Sequence, residues 1–375
     1  MVGAACAYYA ARAGLDVVLV DRGPVAGGTT GAGEGNILVS DKEPGPELDL
    51  ALLSARLWRE FAAEPFGSRI ELEFKGGLVV AADPRELDAL HALASRHRAS
   101  GVEAPVVAAD ELAHLEPNLA DGLAGGVLYP QDAQVQPALA AAHLIKAARV
   151  CGARLRTDET VTRVLRAAEG AVRGVATTRG EISAAAVVNA AGTWGGAVAA
   201  LAGVALPVLP RRGFILVTEP LPRLVRHKVY AADYVADVAS DSAALRTSPV
   251  VEGTAAGPVL IGASRERVGF DRTVSLPVLR RLAAQAIGLF PVLRPVKAMR
   301  AYVGFRPYLP DHLPAIGPDP RVPGLLHACG HEGAGIGLAP ATGHLVALAL
   351  LGRATDLDLA PFRPDRFEDR VEQAC

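Results

Sequence analysis

Cysteine is scarce in this chain: four residues in 375, at positions 6, 151, 329 and 375, with no C-x-x-C and no paired spacing. Thiols so few and scattered exclude a disulfide framework and point to a reducing compartment, taken here as the cytoplasm. None of the nine histidines falls in an H-E-x-x-H pattern, so no metal site is expected. No run reaches the roughly 20 unbroken apolar residues of a membrane span, and no basic stretch precedes an apolar one at the start. A net charge of −2 gives no electrostatic reason to bind nucleic acid. What the chain does have is apolar content and length. Half of its 375 residues are hydrophobic, enough for two lobes, because a single core stops growing near about 250–300 residues.

Small residues carry the most specific signal. Met1 to Gly14 is an alanine-rich stretch with helical character, stopped by a glycine suited to a left-handed C-cap. Val17-Val18-Leu19-Val20 then reads as a strand that ends in Asp21. A helix N-terminus followed about 20 residues later by a strand-end carboxylate is the back half of a dinucleotide fingerprint. Gly3 takes the last glycine position, where close backbone approach lets unpaired amides meet a pyrophosphate, and Asp21 is placed for a ribose hydroxyl pair. The opening strand and first two glycines of G-x-G-x-x-G do not precede Gly3. The expectation is a truncated or misplaced start that binds its cofactor weakly. From this segment alone an ordinary buried helix and acidic turn would read the same way.

Two more glycine-rich stretches follow. Val187 to Gly196 runs from a strand into Ala191-Gly192-Thr193-Trp194, and Gly330 to Gly343 sets four glycines between a strand and a long apolar helix. Glycine there permits close backbone approach to a ligand. Other helices are expected over Glu47 to Ala63, Pro84 to Ala99, Pro137 to Val150, Pro277 to Phe290 and from Gly333 through Leu351. Val161 to Val188 reads as a small meander closed by a buried run, Ala184 to Val188. Short strands without intervening helices between Arg212 and Gly269 suggest an antiparallel sheet. The fold class is therefore α/β: a Rossmann-like dinucleotide lobe plus an antiparallel-sheet substrate lobe, both discontinuous in sequence. Residues 1–72, 130–205 and 300–375 are assigned to the first, 73–129 and 206–299 to the second.

In this order the three stretches resemble the FAD-dependent D-amino-acid oxidase superfamily, which includes glycine and sarcosine oxidases and the flavin subunits of opine, hydroxyproline and cyanide-forming dehydrogenases. Gly31 to Asn36, Pro210 to Ile215, Ile261 to Glu266 and Gly304-Phe305-Arg306-Pro307-Tyr308 extend the likeness over nearly the whole chain. The resemblance implies an FAD cradle of Gly3, Asp21, Arg22, Thr29, Thr30, Gly35, Asn36, Val161, Ala191, Gly192, Trp194, Gly304, Gly333, Ala334, Gly335 and Ile336. It implies that Arg306 grips a substrate carboxylate, chemistry a guanidinium fork suits, with Tyr308 and His331 beside it. The stretch Ala301 to Gly304 lacks the flavin-tethering cysteine of sarcosine oxidases, so FAD is expected to be non-covalent.

The implied activity is oxidation of a small amino or imino acid by hydride transfer to flavin, giving an imine that hydrolyses, with electrons passed to oxygen or to partner subunits. Two readings stay open at this point: a flavin dehydrogenase of a hydroxy acid or glycerol phosphate, and a cofactor-deficient, non-catalytic subunit.

Overall fold

The computed structural model describes residues 1–234 and 242–368. Helix α1 (Val2–Arg12) ends at Ala13, and Gly14 turns the chain with φ 88°. Its alanines at 4, 5, 7, 10 and 11 are buried between α5 (Pro137–Val150) and α8 (Ala339–Leu350). Contact with α8 is made through glycine: a Cβ on Gly343 would lie 2.6 Å from the Ala5 carbonyl carbon. Small residues thus let three helices pack backbone to backbone, which fixes where α1 begins.

Below α1 lies a parallel sheet in two pieces. Strand β1 (Val18–Val20) pairs with β7 (Arg154–Arg156), and β11 (Val187–Asn189) pairs with β18 (Leu325–Cys329), which carries antiparallel β17 (Ala315–Pro318) at its far side. Gly3 sits over the division: its Cβ would meet Ala190 at 3.3 Å and Leu19 at 3.8 Å. Strands β8 (Val161–Arg166), β9 (Val172–Thr177) and β10 (Gly180–Ser183) form the expected meander. The run Ala184 to Val188, expected to be buried, is partly or fully exposed. It leaves the meander because β11 finds its hydrogen bonds on β18. A short antiparallel pair, β2 (Asn36–Ile37) with β6 (Ala133–Gln134), ties down the chain that follows Gly31 to Gly35.

The other lobe is an eight-stranded, mostly antiparallel sheet. Its spatial order is β16 (Ala298–Tyr308), β12 (Leu209–Thr218), β15 (Val259–Arg265), β14 (Arg246–Gly253), β13 (Lys228–Ala231), β3 (Gly77–Ala81), β5 (Gly125–Tyr129) and β4 (Val106–Ala108). Alternation along the strands gives it two unlike faces. Phe214, Leu216, Val229, Val251, Val259, Ile261, Leu78 and Val80 pack under α7 (Leu276–Leu289) through Val278, Leu282, Ala286 and Leu289. Burying each of Val278, Leu282 and Leu289 contributes about 1.5–3 kcal/mol. The opposite face presents Tyr302, Gly304 and Arg306 from β16, Arg211 and Gly213 from β12, Glu252 from β14 and Lys228 from β13. A buried polar face needs partners, and it looks toward the dinucleotide lobe.

Two expectations need correction. Residues 300–308, assigned to the cofactor lobe, belong to β16 at the edge of the antiparallel sheet, where Gly213 pairs with Gly304 and Arg211 with Arg306. The last helix begins at Ala339 rather than Gly333, after a single turn over Glu332–Ala334. Pro340 explains this: it fits a first helical turn, whereas inside a longer helix its ring would strike a carbonyl one turn back. Helices α2 (Pro46–Ala63), α3 (Pro84–Ala99), the short α4 (Leu112–Leu115) and α6 (Gly195–Leu201) complete the described elements. Among the described residues no helix is long and apolar enough to cross a membrane.

Candidate active site

The polar face of β16 is where the three glycine-rich stretches meet. Thr29 Oγ1 and Thr193 Oγ1 each donate to the Phe305 carbonyl at 2.7 Å, drawing the turn Thr29–Ala32 and the end of β11 to one point. A Cβ on Gly304 would lie 2.8 Å from Ala32, and one on Gly33 would lie 2.8 Å from Ile336. The turn after β18 is pinned from beneath, since Ser54 Oγ and Trp58 Nε1 both donate to the Gly337 carbonyl, at 2.6 and 2.9 Å. The Met1 amine donates to Thr30 Oγ1 at 2.7 Å, bringing the start of α1 to the same place. Gly304 is thus required by close approach to Ala32, and Gly337 packs tightly on the Asn36 and Ile37 backbone, 3.2 Å away. A small cavity lies between Asn36, Lys42, Tyr234 and the turn from Gly333 to Leu338.

The donor set fits a dinucleotide. Helix α1 has no side-chain cap, so its first amides are unspent and can meet a pyrophosphate. Asp21 stands exposed at the end of β1, its Oδ1 accepting from the Gly23 amide at 2.9 Å. The main chain of Asp21 is bonded on both sides, its N–H to the Arg156 carbonyl (2.9 Å) and its carbonyl to the Glu159 amide (3.1 Å), which brings Val161 near. The Arg22 guanidinium lies 3.9 Å from the Trp194 ring centroid. Gly192 has φ 56° and open space where a side chain would stand. Asn36 Oδ1 and Glu34 Oε1 are buried acceptors with no partner, next to the glycine turn. Buried polar atoms left unpaired are costly, and a ligand that donates hydrogen bonds would satisfy them.

Arg306 follows from the sheet. Its side chain lies flat across β12 and donates from Nη1 to the Ser264 carbonyl on β15 at 2.8 Å. It can do so because β12 carries Gly213 there; a Cβ would collide with Nη1. On its other side a Cβ at Gly333 would lie 3.5 Å from Nε. Among the described residues no carboxylate is within ion-pair distance of Arg306. Asp311, the neighbour that could have neutralised it, pairs instead with Arg366 at 2.7 Å. Burial, then the like charge of Arg265, lowers the Arg306 pKa. Tyr302, four residues away on the same face, donates to the Gly33 carbonyl at 3.4 Å, and burial followed by the Glu34 charge raises its pKa.

The other two candidates are placed differently. His331 is buried, and its Nε2 meets Thr342 Oγ1 at 2.9 Å. The Thr342 hydroxyl already donates to the Leu338 carbonyl (2.9 Å), so His331 donates and ties the glycine turn to α8. Burial, aided by the positive chain terminus, lowers its pKa to about 3, which keeps it neutral. Tyr308 is buried beneath Arg267 and against His312, with ring distances of 5.0 and 5.2 Å. It supports a cluster in which Glu332 bonds Arg211 and accepts from His312 Nδ1 at 2.9 Å. Burial pushes the Glu332 carboxyl up, yet the His312 hydrogen bond and the Arg211 charge more than offset it and hold it at about 2.

Several charged residues here escaped the sequence reading. Glu34 sits between two glycines, inside a stretch that was noticed only for its glycines. Arg265 closes β15, buried with its guanidinium 5.0 Å from the Tyr234 ring. Lys228 and Glu252 pair at 3.5 Å, with Gln134 Nε2 on Glu252 Oε1 at 2.6 Å. Lys42 is buried against Asp41 at 2.5 Å. The available signal was strand alternation, which puts Lys228 and Glu252 opposite one another on one face.

A dinucleotide cradle of backbone and glycine, meeting a buried arginine on an antiparallel sheet, defines a two-lobed nucleotide-dependent oxidoreductase. Comparison with known proteins makes the class specific. The FAD dependent oxidoreductase (DAO) family matches residues 1–349, and the chain belongs to it. The chain is 31% identical to the glycine oxidase of Geobacillus kaustophilus over 378 aligned positions, covering 99% of this chain and 96% of that one. It is 34% identical to hydrogen cyanide synthase subunit HcnC of Pseudomonas aeruginosa over 262 positions, 69% of this chain but only 59% of that relative's length. The crystal structure of the Geobacillus glycine oxidase superposes with a TM-score of 0.88 at 30% identity, covering 97% and 96% of the two chains. L-proline dehydrogenase from P. horikoshii, at 22% identity, shares the fold with a TM-score of 0.89 over 98% of this chain and 96% of that one. FAD is the cofactor of this family.

Proposed function

We propose that this protein oxidises a small amino or imino acid at the carbon that bears the nitrogen. The carrying observation is Arg306, a guanidinium on the polar sheet face with no carboxylate partner, set where the cofactor-facing stretches converge. A fork of N–H donors held flat by Gly213 and Gly333 takes a carboxylate through charge-assisted bonds and fixes the α-carbon in place. An amine that enters uncharged needs no side chain to remove a proton from it. His331 supports that view, being neutral and engaged with Thr342.

FAD, when bound, supplies the two-electron oxidation. The start of α1 with Gly3 would hold its pyrophosphate and Asp21 its ribose. The remaining residues named for the cradle would line the groove: Arg22, Thr29, Thr30, Gly35, Asn36, Val161, Ala191, Gly192, Trp194, Gly304 and Gly333 to Ile336. Non-covalent binding fits the buried thiols of Cys6 and Cys329, each raised to about 12 mainly by burial and therefore unreactive. The name of one relative, a hydrogen cyanide synthase subunit, supports a protein that works beside partner subunits. Substituting Arg306→Ala tests the reading. FAD content should survive while the Michaelis constant for a carboxylate substrate rises strongly, and an unchanged constant removes Arg306 from the role. Glycine, sarcosine and D-proline, mixed anaerobically with the yellow protein, should bleach it if amine oxidation is correct.

A further inference from the structure

Three charges around the site lack a partner of opposite sign. Arg306 has only the Ser264 carbonyl. Arg265 is 5% exposed, with the Tyr234 ring centroid 5.0 Å from its guanidinium and the Glu332 charge acting on it across the site. Glu34 is 6% exposed, with Asn36 Nδ2 on Oε2 at 3.0 Å and nothing on Oε1. Among the described residues no oppositely charged side chain lies within ion-pair distance of any of the three. Around them Lys228 pairs with Glu252 and Lys42 with Asp41, while Glu332, bonded to Arg211 and His312, also acts on Arg306 and Arg265 from beyond ion-pair distance. The three unmatched groups feel one another. Arg265 and Glu34 both act on the Arg306 charge, and Glu34 rests over Gly262, three residues before Arg265 on β15. Two buried cations side by side repel, and the Glu332 charge, already bonded to Arg211 and His312, offsets their desolvation only in part. An arrangement so unfavourable in the free protein is relieved by a ligand with two negative groups and one positive or hydrogen-donating group.

We infer that the site is built for an amine bearing two carboxylates, with Arg306 and Arg265 each holding one carboxylate and Glu34 facing the nitrogen. The inference rests on the amine-oxidase reading above and narrows its substrate class. A monocarboxylic amino acid such as glycine would leave one guanidinium buried and unpaired. Two arrangements of the same chemistry qualify: a secondary amine between two carboxylates, as in iminodiacetate, and a primary amine on a dicarboxylic acid, as in aspartate.

The FAD-loaded protein is mixed anaerobically with iminodiacetate, D- and L-aspartate, glycine and sarcosine, and the rate of flavin bleaching is followed. One extra charge-assisted contact should favour a diacid over the corresponding monoacid by about 10- to 100-fold in kcat/KM. Whether iminodiacetate or an aspartate leads tells the two arrangements apart. In Arg265→Gln that preference should fall to within about threefold of unity, and Arg265→Lys should restore part of it. Calorimetry gives a readout independent of turnover: succinate should bind the parent more tightly than propionate, and Arg265→Gln should remove the difference. Glu34→Gln should weaken iminodiacetate relative to succinate. Monoacids that bleach the flavin as well as diacids would overturn the inference while leaving amine oxidation intact. Failure of every amine to bleach it would sink the function itself, and equal binding of succinate and propionate would sink the two-arginine site separately.

Discussion

Replacing Gly213 by alanine probes how the sheet aims Arg306, without touching the arginine. The new Cβ would stand 3.0 Å from Arg306 Cζ and 2.5 Å from the Ser264 carbonyl oxygen. Its two neighbours differ in what they can yield. Arg306 is a flexible side chain and can swing away, but the Ser264 oxygen is backbone in the adjacent strand. Relief therefore takes two forms at once. The arginine loses its 2.8 Å bond to Ser264, and β12 separates slightly from β15. A hydrogen bond to a charged group is worth about 1.5–3 kcal/mol, so a misaimed guanidinium should raise the Michaelis constant for the acid substrate about 10- to 100-fold. Overpacking costs about 1–3 kcal/mol of stability, which a urea titration resolves. Flavin content should hold, because Gly213 does not line the cradle. Gly288→Ala on α7 is the matched control, since a Cβ there meets nothing within 4 Å. It should leave kinetics alone and stabilise by about 0.5–1 kcal/mol. A Gly213→Ala protein with the parent's Michaelis constant and urea midpoint would refute the claim that glycine at this position aims Arg306.

Glu332→Gln removes the charge that Arg211 and His312 face and should cost on the order of 3 kcal/mol in urea unfolding at neutral pH. Because the folded Glu332 carboxyl titrates near 2 rather than 4.5, its contribution is complete above about pH 4.5 and is lost as the pH falls toward 2; the variant should lack that slope. His331 behaves likewise for the opposite reason. Its folded pKa of about 3 lies below the ordinary 6.5, so the unfolded chain takes up a proton the folded chain refuses, and stability declines as the pH falls below 6.5. His331→Asn should flatten that window in stability curves measured at fixed temperature. A parent protein equally stable at pH 6.5 and pH 4 would contradict the buried, neutral assignment.

Much of the architecture was legible because it rests on local rules. Helix α3 occupies Pro84–Ala99 and α5 Pro137–Val150, as a proline at the first helical position and apolar spacing dictate. The glycine-rich stretches were readable because close backbone approach excludes any side chain. What misled was equally local. Gly333 to Leu338 carries apolar residues that continue the helical pattern, yet Pro340 moves the helix start to Ala339. The run Ala184 to Val188 looks buried by composition, but its exposure depends on which strand covers it.

Glycine spacing and strand-end motifs by themselves determined an α/β chain with dinucleotide-type backbone approach, while the flavin family and the role expected of Arg306 came from resemblance. Small residues and strand-end motifs encode backbone proximity, and backbone proximity is nearly all a dinucleotide needs. The charge pattern of the pocket was decided only by tertiary structure. Arg306 and Arg265 are 41 residues apart in sequence, and Glu34 is more than 200 from either. Arg306 reaches the strand of Arg265 because β12 passes between β16 and β15 and carries glycine where the arginine must cross, and Glu34 rests over Gly262 of the same strand. Whether a buried charge has found its partner depends on three-dimensional neighbours, so the unmatched charges appear only in the folded molecule.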